Sequence, residues 1–205
     1  MPPTPLASPF MRLLLVAPPG AGKGTQAAKL SAHYHIAHLS SGELLRKDAA
    51  AGTDVGRLAA DYLLRGDLVP DEVVIELLTV PVLEAVRNGG YVLDGFPRTL
   101  RQAEEAYQVA RQIEGVELQA VIHLEVSRKE LRRRLVARGL RDGRSDDTEV
   151  AIAHRLDVFA AETEPMLGFY AERGLVLDIN GEQRVDRVFV DIVTCLLYTS
   201  PSPRD

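Results

Sequence analysis

Short apolar runs that are typical of buried strands alternate along the chain with longer stretches in which apolar residues recur at helical spacing. The apolar runs predict five strands, at residues 12–16, 37–39, 91–93, 121–124 and 175–179. Helical patterns fill the intervals, at residues 20–34, 54–64, 71–87, 100–114, 128–138, 148–173 and 184–193, with a further helix starting at Ser40 or Ser41. Because proline has no backbone N–H, we expect the helix at 148–173 to be disturbed at Glu164 and Pro165.

Strands that are separated by helices predict βαβ units, and hence a mostly parallel sheet with right-handed crossovers. We therefore predict an α/β fold of three layers, in which a five-stranded parallel sheet is flanked by helices. Residues 139–147 are polar, have no periodicity and are predicted to form a loop. In sheets of this kind a ligand binds beyond the carboxyl ends of the strands, so functional residues are expected in the segments that follow the strands.

The composition is that of a globular domain and excludes several other classes of protein. The 205 residues are 46% hydrophobic and 26% charged, which excludes a disordered chain or a collagen-like rod. Cys195 is the single cysteine, so no internal disulfide is possible, and the apolar runs are too short to cross a bilayer. The formal net charge of −5 argues against binding to nucleic acid through bulk charge.

The basic residues are unevenly divided between lysine and arginine. Four of the 24 are lysines, which leaves 24 − 4 = 20 arginines. Codon usage in a GC-rich genome is one explanation. The other is a phosphate site, because the guanidinium group is the fork-shaped partner of phosphate.

Both ends of the chain differ in character from the rest. Residues 1–10 contain four prolines and no charged residue, and they lack the features of a secretory signal. We expect a start site assigned too far upstream, with Met11 as the true initiator, or else a short disordered arm. Residues 195–205, CLLYTSPSPRD, resemble the in-frame translation of a transposase-type sequencing adapter and are expected to be non-native, with a genuine Ser/Pro-rich tail as the alternative. The functional unit is then a single domain at residues 11–194.

The first predicted strand leads into a glycine-rich loop, in which Gly20, Ala21, Gly22, Lys23, Gly24 and Thr25 follow Ala17, Pro18 and Pro19. Closely spaced glycines let backbone N–H groups surround an anion, and the positive end of the next helix adds to the attraction. Lys23 can reach a β- or γ-phosphate, and Thr25 offers a hydroxyl to Mg²⁺ or to phosphate. A glycine-rich turn at a helix start is the alternative. Ala17 stands where such loops usually have their first glycine, and its Cβ adds strain if that position needs a positive φ.

Five segments, in order, resemble motifs of the adenylate kinases. They are the phosphate loop through Gln26 and residues 40–46, 66–71, 93–99 and 143–147, and the resemblance extends over about residues 11–194. It implies a P-loop NTPase-like fold with an AMP-binding segment at residues 40–69 and a lid of the short variant at residues 137–147. It also implies a cytoplasmic monomer that reversibly transfers the terminal phosphoryl group of ATP to AMP, in line and with Mg²⁺, to give two ADP. Because no cysteine lies near the lid, zinc is not expected.

The resemblance also implies roles for individual residues. Phosphoryl transfer is assigned to Lys23, Arg98, Arg138, Arg144 and Arg155. ATP binding is assigned to Gly20, Ala21, Gly22, Lys23, Gly24, Thr25, Arg134, Arg138 and Gln183. AMP binding is assigned to Ser41, Arg46, Asp67, Leu68, Val69, Gly95, Phe96, Pro97, Arg98, Gln102, Arg144 and Arg155. Mg²⁺ is assigned to Thr25 and, through water, to Asp94.

Most of these assignments have a simpler alternative. Arg46 and Arg98 could form surface ion pairs, Asp94 could cap a turn, and Gln102 could be an exposed helix residue. The amide of Gln102 offers both the donor and the acceptor that the N1/N6 edge of adenine requires. Together with Thr99, this residue favours AMP over UMP or CMP, although another nucleoside monophosphate kinase stays an alternative.

Two further functions come from the basic cluster at residues 128–144 and from Ala17. The cluster has no interleaved aromatic residues and is interrupted by acidic ones, which disfavours nucleic-acid binding. Its members without a motif are predicted to be solvated, and these are Arg128, Arg132, Arg133 and Arg141. Because of Ala17, a nucleotide-binding protein with weak turnover stays open as the second alternative.

Overall fold

The computed structural model describes residues 11–142 and 148–199, and it confirms the predicted α/β fold. All five strands lie parallel in one sheet of order β2-β3-β1-β4-β5. They are β1 (Met11–Val16), β2 (Ala37–Ser40), β3 (Gly90–Asp94), β4 (Ala120–Glu125) and β5 (Val176–Asn180). Because β1 is central, the segment that follows it emerges at the middle of the sheet, where the chain turns from one side to the other.

The helices lie close to their predicted positions. They are α1 (Lys23–Tyr34), α2 (Ser41–Ala51), α3 (Asp54–Arg65), α4 (Asp71–Arg87), α5 (Leu100–Ala110), α6 (Arg128–Asp142), α7 (Glu149–Val158), α8 (Pro165–Ala171) and α9 (Val185–Thr199). Short polar side chains accept from the first turns of several of them: Ser40 for α2, Thr53 for α3, Thr99 for α5 and Thr148 for α7. These caps satisfy N–H groups that have no partner within the helix, which explains where the helices begin.

The core has two layers, one on each face of the sheet. Successive residues of β1 face opposite sides, so Leu13 and Leu15 pack with α1, α6 and α9, whereas Leu14 and Val16 pack with α4, α5 and α8. Both faces of the central strand are therefore covered, as a parallel sheet requires. Among the described residues no helix is both long and apolar enough to cross a membrane.

Several boundaries differ from the prediction. Helix α1 begins at Lys23 rather than at residue 20, because Gly20 and Gly22 have positive φ values of 84° and 101° that no α-helix accepts. Helix α5 ends at Ala110 rather than at residue 114. The loop prediction for residues 139–142 is wrong, since α6 continues to Asp142. Favourable helix formers follow Gly139 and outweigh the single glycine.

Parts of the two chain ends and of the predicted lid are not among the residues that the structure describes. Residues 1–10, 143–147 and 200–205 lie outside the described residues. Helix α9 continues past residue 193 to Thr199, and Leu196 packs into the core beside α1. The expected disturbance near Pro165 takes the form of a π-helical turn at Phe159–Thr163, in which the Glu164 N–H donates to the Phe159 carbonyl over 2.9 Å.

The first residue of β3 should be intolerant of any side chain. Gly90 has a φ of 116°, and a Cβ there would overlap the backbone of Met11 in the paired strand β1. We expect Gly90→Ala to lower the free energy of unfolding by about 3 kcal/mol or more in urea denaturation, from strain and clash together.

Gly174→Ala is the matched control, because Gly174 has a φ of 66° and nothing lies within 4 Å of the added Cβ. Backbone strain alone should then remove about 1–2 kcal/mol. Equal losses in the two variants would contradict a steric role for the contact between β1 and β3.

Candidate functional site

A cavity of about 780 Å³ opens beyond the carboxyl ends of β1 and β3. Its wall includes most of the residues that sequence reasoning assigned to a site: Gly20, Ala21, Gly22, Lys23, Gly24, Thr25, Arg46, Leu68, Asp94, Gly95, Pro97, Arg98, Arg134, Arg138, Arg155 and Gln183. Side chains that are far apart in the sequence therefore face one volume, which is of the size of a small-molecule site. Arg144 lies outside the described residues.

The phosphate loop owes its shape to two glycines and a lysine. Gly20 approaches α6 so closely that a Cβ would lie 2.7 Å from Cγ of Leu135. The ammonium group of Lys23 donates to the carbonyls of Ala17 and Pro18, at 2.6 and 3.2 Å, and so folds back over the loop. Ala17 itself does not adopt a positive φ, since His35 is the only described non-glycine residue that does. The expected strain at Ala17 is therefore absent.

Burial and the charged side chains around Lys23 alter its pKa. Burial of the ammonium group is the main reason why the pKa of Lys23 is lowered to about 8. Asp94 opposes this shift, whereas the positive charges of Arg98, Arg155 and Arg138 add to it. The effect of each charge falls with distance, so these residues belong to one electrostatic cluster.

The segment after β3 holds Arg98 in a fixed position. The Phe96–Pro97 peptide bond is cis, and Gly95 has a φ of 87°. The Arg98 Nε–H donates to the Gly95 carbonyl over 2.5 Å, and Ser41 Oγ donates to the same carbonyl over 2.7 Å. Ser41 is thus buried behind the cavity wall and supports the backbone that carries Arg98.

Two arginines meet beside the start of α2. A Cβ on Gly42 would lie 3.3 Å from Nη1 of Arg46 and 3.7 Å from Nη2 of Arg98. Burial lowers the pKa of Arg98, Asp94 opposes that shift, and the charges of Arg155 and Arg46 add to it. The small residue at position 42 leaves room for both guanidinium groups.

Gln102 does not face the cavity. Its side chain is only 2% exposed, its Oε1 accepts from the Arg98 N–H over 2.6 Å, and its Nε2 donates to Asp71. The alternative of an exposed helix glutamine is therefore wrong. An adenine edge could be bound only if the amide exchanged the partners that it has here. Val69 and Phe96 are likewise buried in the core, outside the cavity wall.

Helix α6 connects the phosphate loop with the turn after β5. Arg134 donates to the Gly181 carbonyl over 3.0 Å and to the Ala21 carbonyl over 3.4 Å. Its Nε donates to Glu130, which also accepts two hydrogen bonds from Arg133, and these contacts lower the pKa of Glu130 to about 2. Gln183, which lies in the turn after β5, donates to Asp191 of α9 over 2.8 Å.

Several contributions to the site were not predicted from the sequence. Arg133 and Arg141 are exposed, as predicted, but they and Arg184 also line the cavity. Thr163, in the π-helical turn, also lines it and donates to the Arg98 carbonyl over 2.7 Å. The helical spacing of apolar residues in the sequence does not predict the position of this threonine. A π-helical turn rotates residues about the helix axis relative to a regular α-helix.

Two oxygen-bearing side chains on the cavity wall are suited to bind a hard divalent cation. The Thr25 hydroxyl and the buried Asp94 carboxylate both line the wall, and oxygen is the ligand that Mg²⁺ prefers. In the described ranges a second group, His123 with Glu125 and Asp178, has ligand atoms within 4.8 Å of one another. His123 and Asp178 are 2.8 Å apart, a distance that a hydrogen bond between them explains.

Comparison with known proteins identifies the family. The adenylate kinase family profile matches residues 15–175 of the chain. An adenylate kinase of Thermobifida fusca is 41% identical over 186 residues, which cover 91% of this chain and 98% of that protein. An adenylate kinase of Nitrobacter winogradskyi is 44% identical over 189 residues, which cover 89% of this chain and 91% of that protein. The chain therefore belongs to the adenylate kinase family.

Proposed function

We propose that the protein reversibly transfers the terminal phosphoryl group of ATP to AMP, giving two ADP. The observation that carries the proposal is the convergence of cations from five separate segments on one cavity, namely Lys23, Arg46, Arg98, Arg138 and Arg155. Two phosphorylated substrates bring several negative charges to one place, and cations are needed to offset their repulsion. Membership of the adenylate kinase family supports ATP and AMP as these substrates.

The cations act by position and charge, because phosphoryl transfer needs little covalent chemistry from a protein. Lys23 and Arg138 are proposed to bind the ATP phosphates, together with the backbone N–H groups of the phosphate loop. Arg46 and Arg98, which meet beside Gly42, are proposed to bind the AMP phosphate. Arg155 and Arg144 would then stabilise the negative charge of the phosphoryl group during its transfer. Charge that develops in the transition state is stabilised by groups already held in place.

The two bases are proposed to bind at opposite ends of the cavity. Arg134 and the turn that carries Gln183 would flank the adenine of ATP, since Arg134 already contacts this turn through Gly181. The backbone of residues 67–69 and the amide of Gln102 would receive the adenine of AMP. For Gln102 this requires that it release Asp71 or the Arg98 N–H.

Thr25 and, through water, Asp94 are proposed to hold Mg²⁺ with the nucleotide. The ion would neutralise charge on the β- and γ-phosphates while Lys23 and the arginines orient them. Asp94 is 8% exposed and lies close enough to Lys23 for its charge to oppose the lowering of the Lys23 pKa.

Two segments are proposed to close over the substrates: residues 40–69 over AMP, and the lid at residues 137–147 over ATP. Closure would exclude water from the phosphates and so disfavour hydrolysis of ATP. We further propose a cytoplasmic monomer without zinc and without a nucleic-acid or membrane partner. The net charge of −5 disfavours a nucleic-acid partner, and a single cysteine disfavours a four-cysteine zinc site.

Removal of either central charge should abolish phosphoryl transfer. We expect Lys23→Met and Arg98→Ala each to lower kcat at least about 100-fold in a coupled assay of ADP formation, because each removes a buried charge from the phosphates. Lys29→Met, on the same helix but paired with Asp186 at 3.0 Å, and Arg101→Ala, paired with Glu105, are the matched controls. Activity close to that of the wild type in either test variant would refute the assignment.

The low pKa of Lys23 predicts how the rate depends on pH. Since the charged form is lost as pH rises through about 8, kcat/KM for ATP should fall above that pH in the free enzyme. Bound phosphates favour the ammonium, so the corresponding fall in kcat should lie at higher pH. Lys23→Arg does not titrate in this range and should lack the fall near pH 8. A flat wild-type profile from pH 7 to 9 would contradict the prediction.

Gln102 should determine which monophosphate is accepted. We expect kcat/KM for AMP to exceed the values for UMP, CMP and GMP at least about 100-fold, since a polar pocket rejects bases that leave its groups unpaired. Gln102→Leu should raise KM for AMP about tenfold and reduce this preference. Gln108→Leu, at an exposed position of the same helix, should change neither. If the preference survives Gln102→Leu, another group recognises the base.

A further inference from the structure

The turn between α3 and α4 is tied to α7 by a pair of side chains that do not line the cavity. We propose that Asp67 and His154 form a clamp that positions this turn beside Arg155 and thereby sets the affinity for AMP. Both are positioning residues, because they act through neighbouring groups. The inference rests on the proposed function in taking AMP as the ligand on this side of the cavity.

Asp67 uses both carboxylate oxygens. Its Oδ1 lies 2.8 Å from Nε2 of His154, which is 87 residues away in the chain, and its Oδ2 accepts from the Arg65 Nε–H over 2.7 Å. The hydrogen bond from Arg65, followed by that from His154, holds the pKa of Asp67 below its ordinary value. Arg65, at the end of the same helix, orients the carboxylate, whereas His154 forms the connection to another part of the fold.

The clamp joins the turn to the helix that carries Arg155. Gly66 packs against this arginine so closely that a Cβ would lie 2.5 Å from its Cγ and 3.0 Å from its Cδ. The φ of Gly66 is 80°, so glycine is required here by conformation as well as by space. The aliphatic part of Arg155 is thereby held between the turn and its own helix.

Alternate residues of the turn point in different directions. Gly66 and Leu68 line the cavity with Arg155, whereas Asp67 and His154 do not. The backbone of this turn is the part proposed to receive the adenine of AMP. A shift of the turn away from α7 would therefore move the AMP pocket and loosen Arg155, while Lys23 keeps its own contacts with the carbonyls of Ala17 and Pro18.

The exposure of the pair distinguishes positioning from stability. The side chains of His154 and Asp67 are 44% and 35% exposed, and exposed pairs contribute little to the free energy of unfolding. A merely structural pair should then leave all kinetic constants unchanged when it is removed. A clamp should alter AMP binding while the stability of the protein hardly changes.

The experiment compares Asp67→Ala, His154→Ala, His154→Gln and the double alanine variant in the full chain. We expect KM for AMP to rise about three- to tenfold in both single alanine variants, an effect of the size of one ordinary lost hydrogen bond. KM for ATP should stay within about twofold, because Lys23 and the phosphate loop are untouched. The double variant should resemble the single ones in its KM for AMP, since each single change already breaks the contact between Asp67 and His154. His154→Gln retains an N–H donor and should recover most of the affinity.

His123→Ala is the matched control, because His123 forms a pair with Asp178 at the same distance of 2.8 Å, on β4 and β5. It should leave KM for AMP unchanged. Additive effects in the double variant, or an equal rise of KM for ATP and AMP, would overturn the clamp. Arg46→Ala separates the two proposals. If it raises KM for AMP and the clamp variants do not, the clamp is wrong and the AMP site stands. If none of them does, the AMP assignment is itself wrong.

Discussion

Mutual repulsion among the cations of one cavity is the constraint on which the rest of the structure depends. Lys23 and Arg98 both have lowered pKa values, because they are buried and because other positive groups lie near them. Asp94 is the carboxylate that opposes both shifts, and it is itself buried at the end of β3. A site of this kind binds an anion strongly because its charge is present before the ligand arrives. The folded chain has to hold these groups together at a cost in stability.

Hydrogen bonds to backbone carbonyls offset part of that cost in stability. Lys23 donates to Ala17 and Pro18, and Arg98 donates to Gly95, so each cation is bound to a carbonyl of the loop beside it. These loops follow β1 and β3, whose carboxyl ends are adjacent because the two strands pair in register. The order of strands in the sheet thus brings the two positive centres together, and the left-handed glycines let each loop turn back over its own side chain.

Support from more distant parts of the chain completes the site. Thr163 reaches the Arg98 carbonyl from the π-helical turn, and Arg134 reaches both the phosphate loop and the turn after β5. These contacts join segments that are distant from one another in the sequence. The turn between α3 and α4 differs, because it is joined to α7 by the partly exposed pair of Asp67 and His154.

The alternation of strands and helices, the phosphate loop and the segment with Arg98 are evident from the sequence alone. Each is a local property, since periodicity reports burial along one element and a glycine-rich loop takes its form from its own φ angles. Contacts between distant segments were not predictable in this way. The two partners of the Gln102 amide, the place of Arg133 and Arg141 on the cavity wall and the bond from Thr163 depend on how elements pack. The sequence by itself determined the fold class and the chemical character of the site. Only the tertiary structure decided which side chains face the cavity and which lie behind its wall, because that depends on strand order and helix rotation.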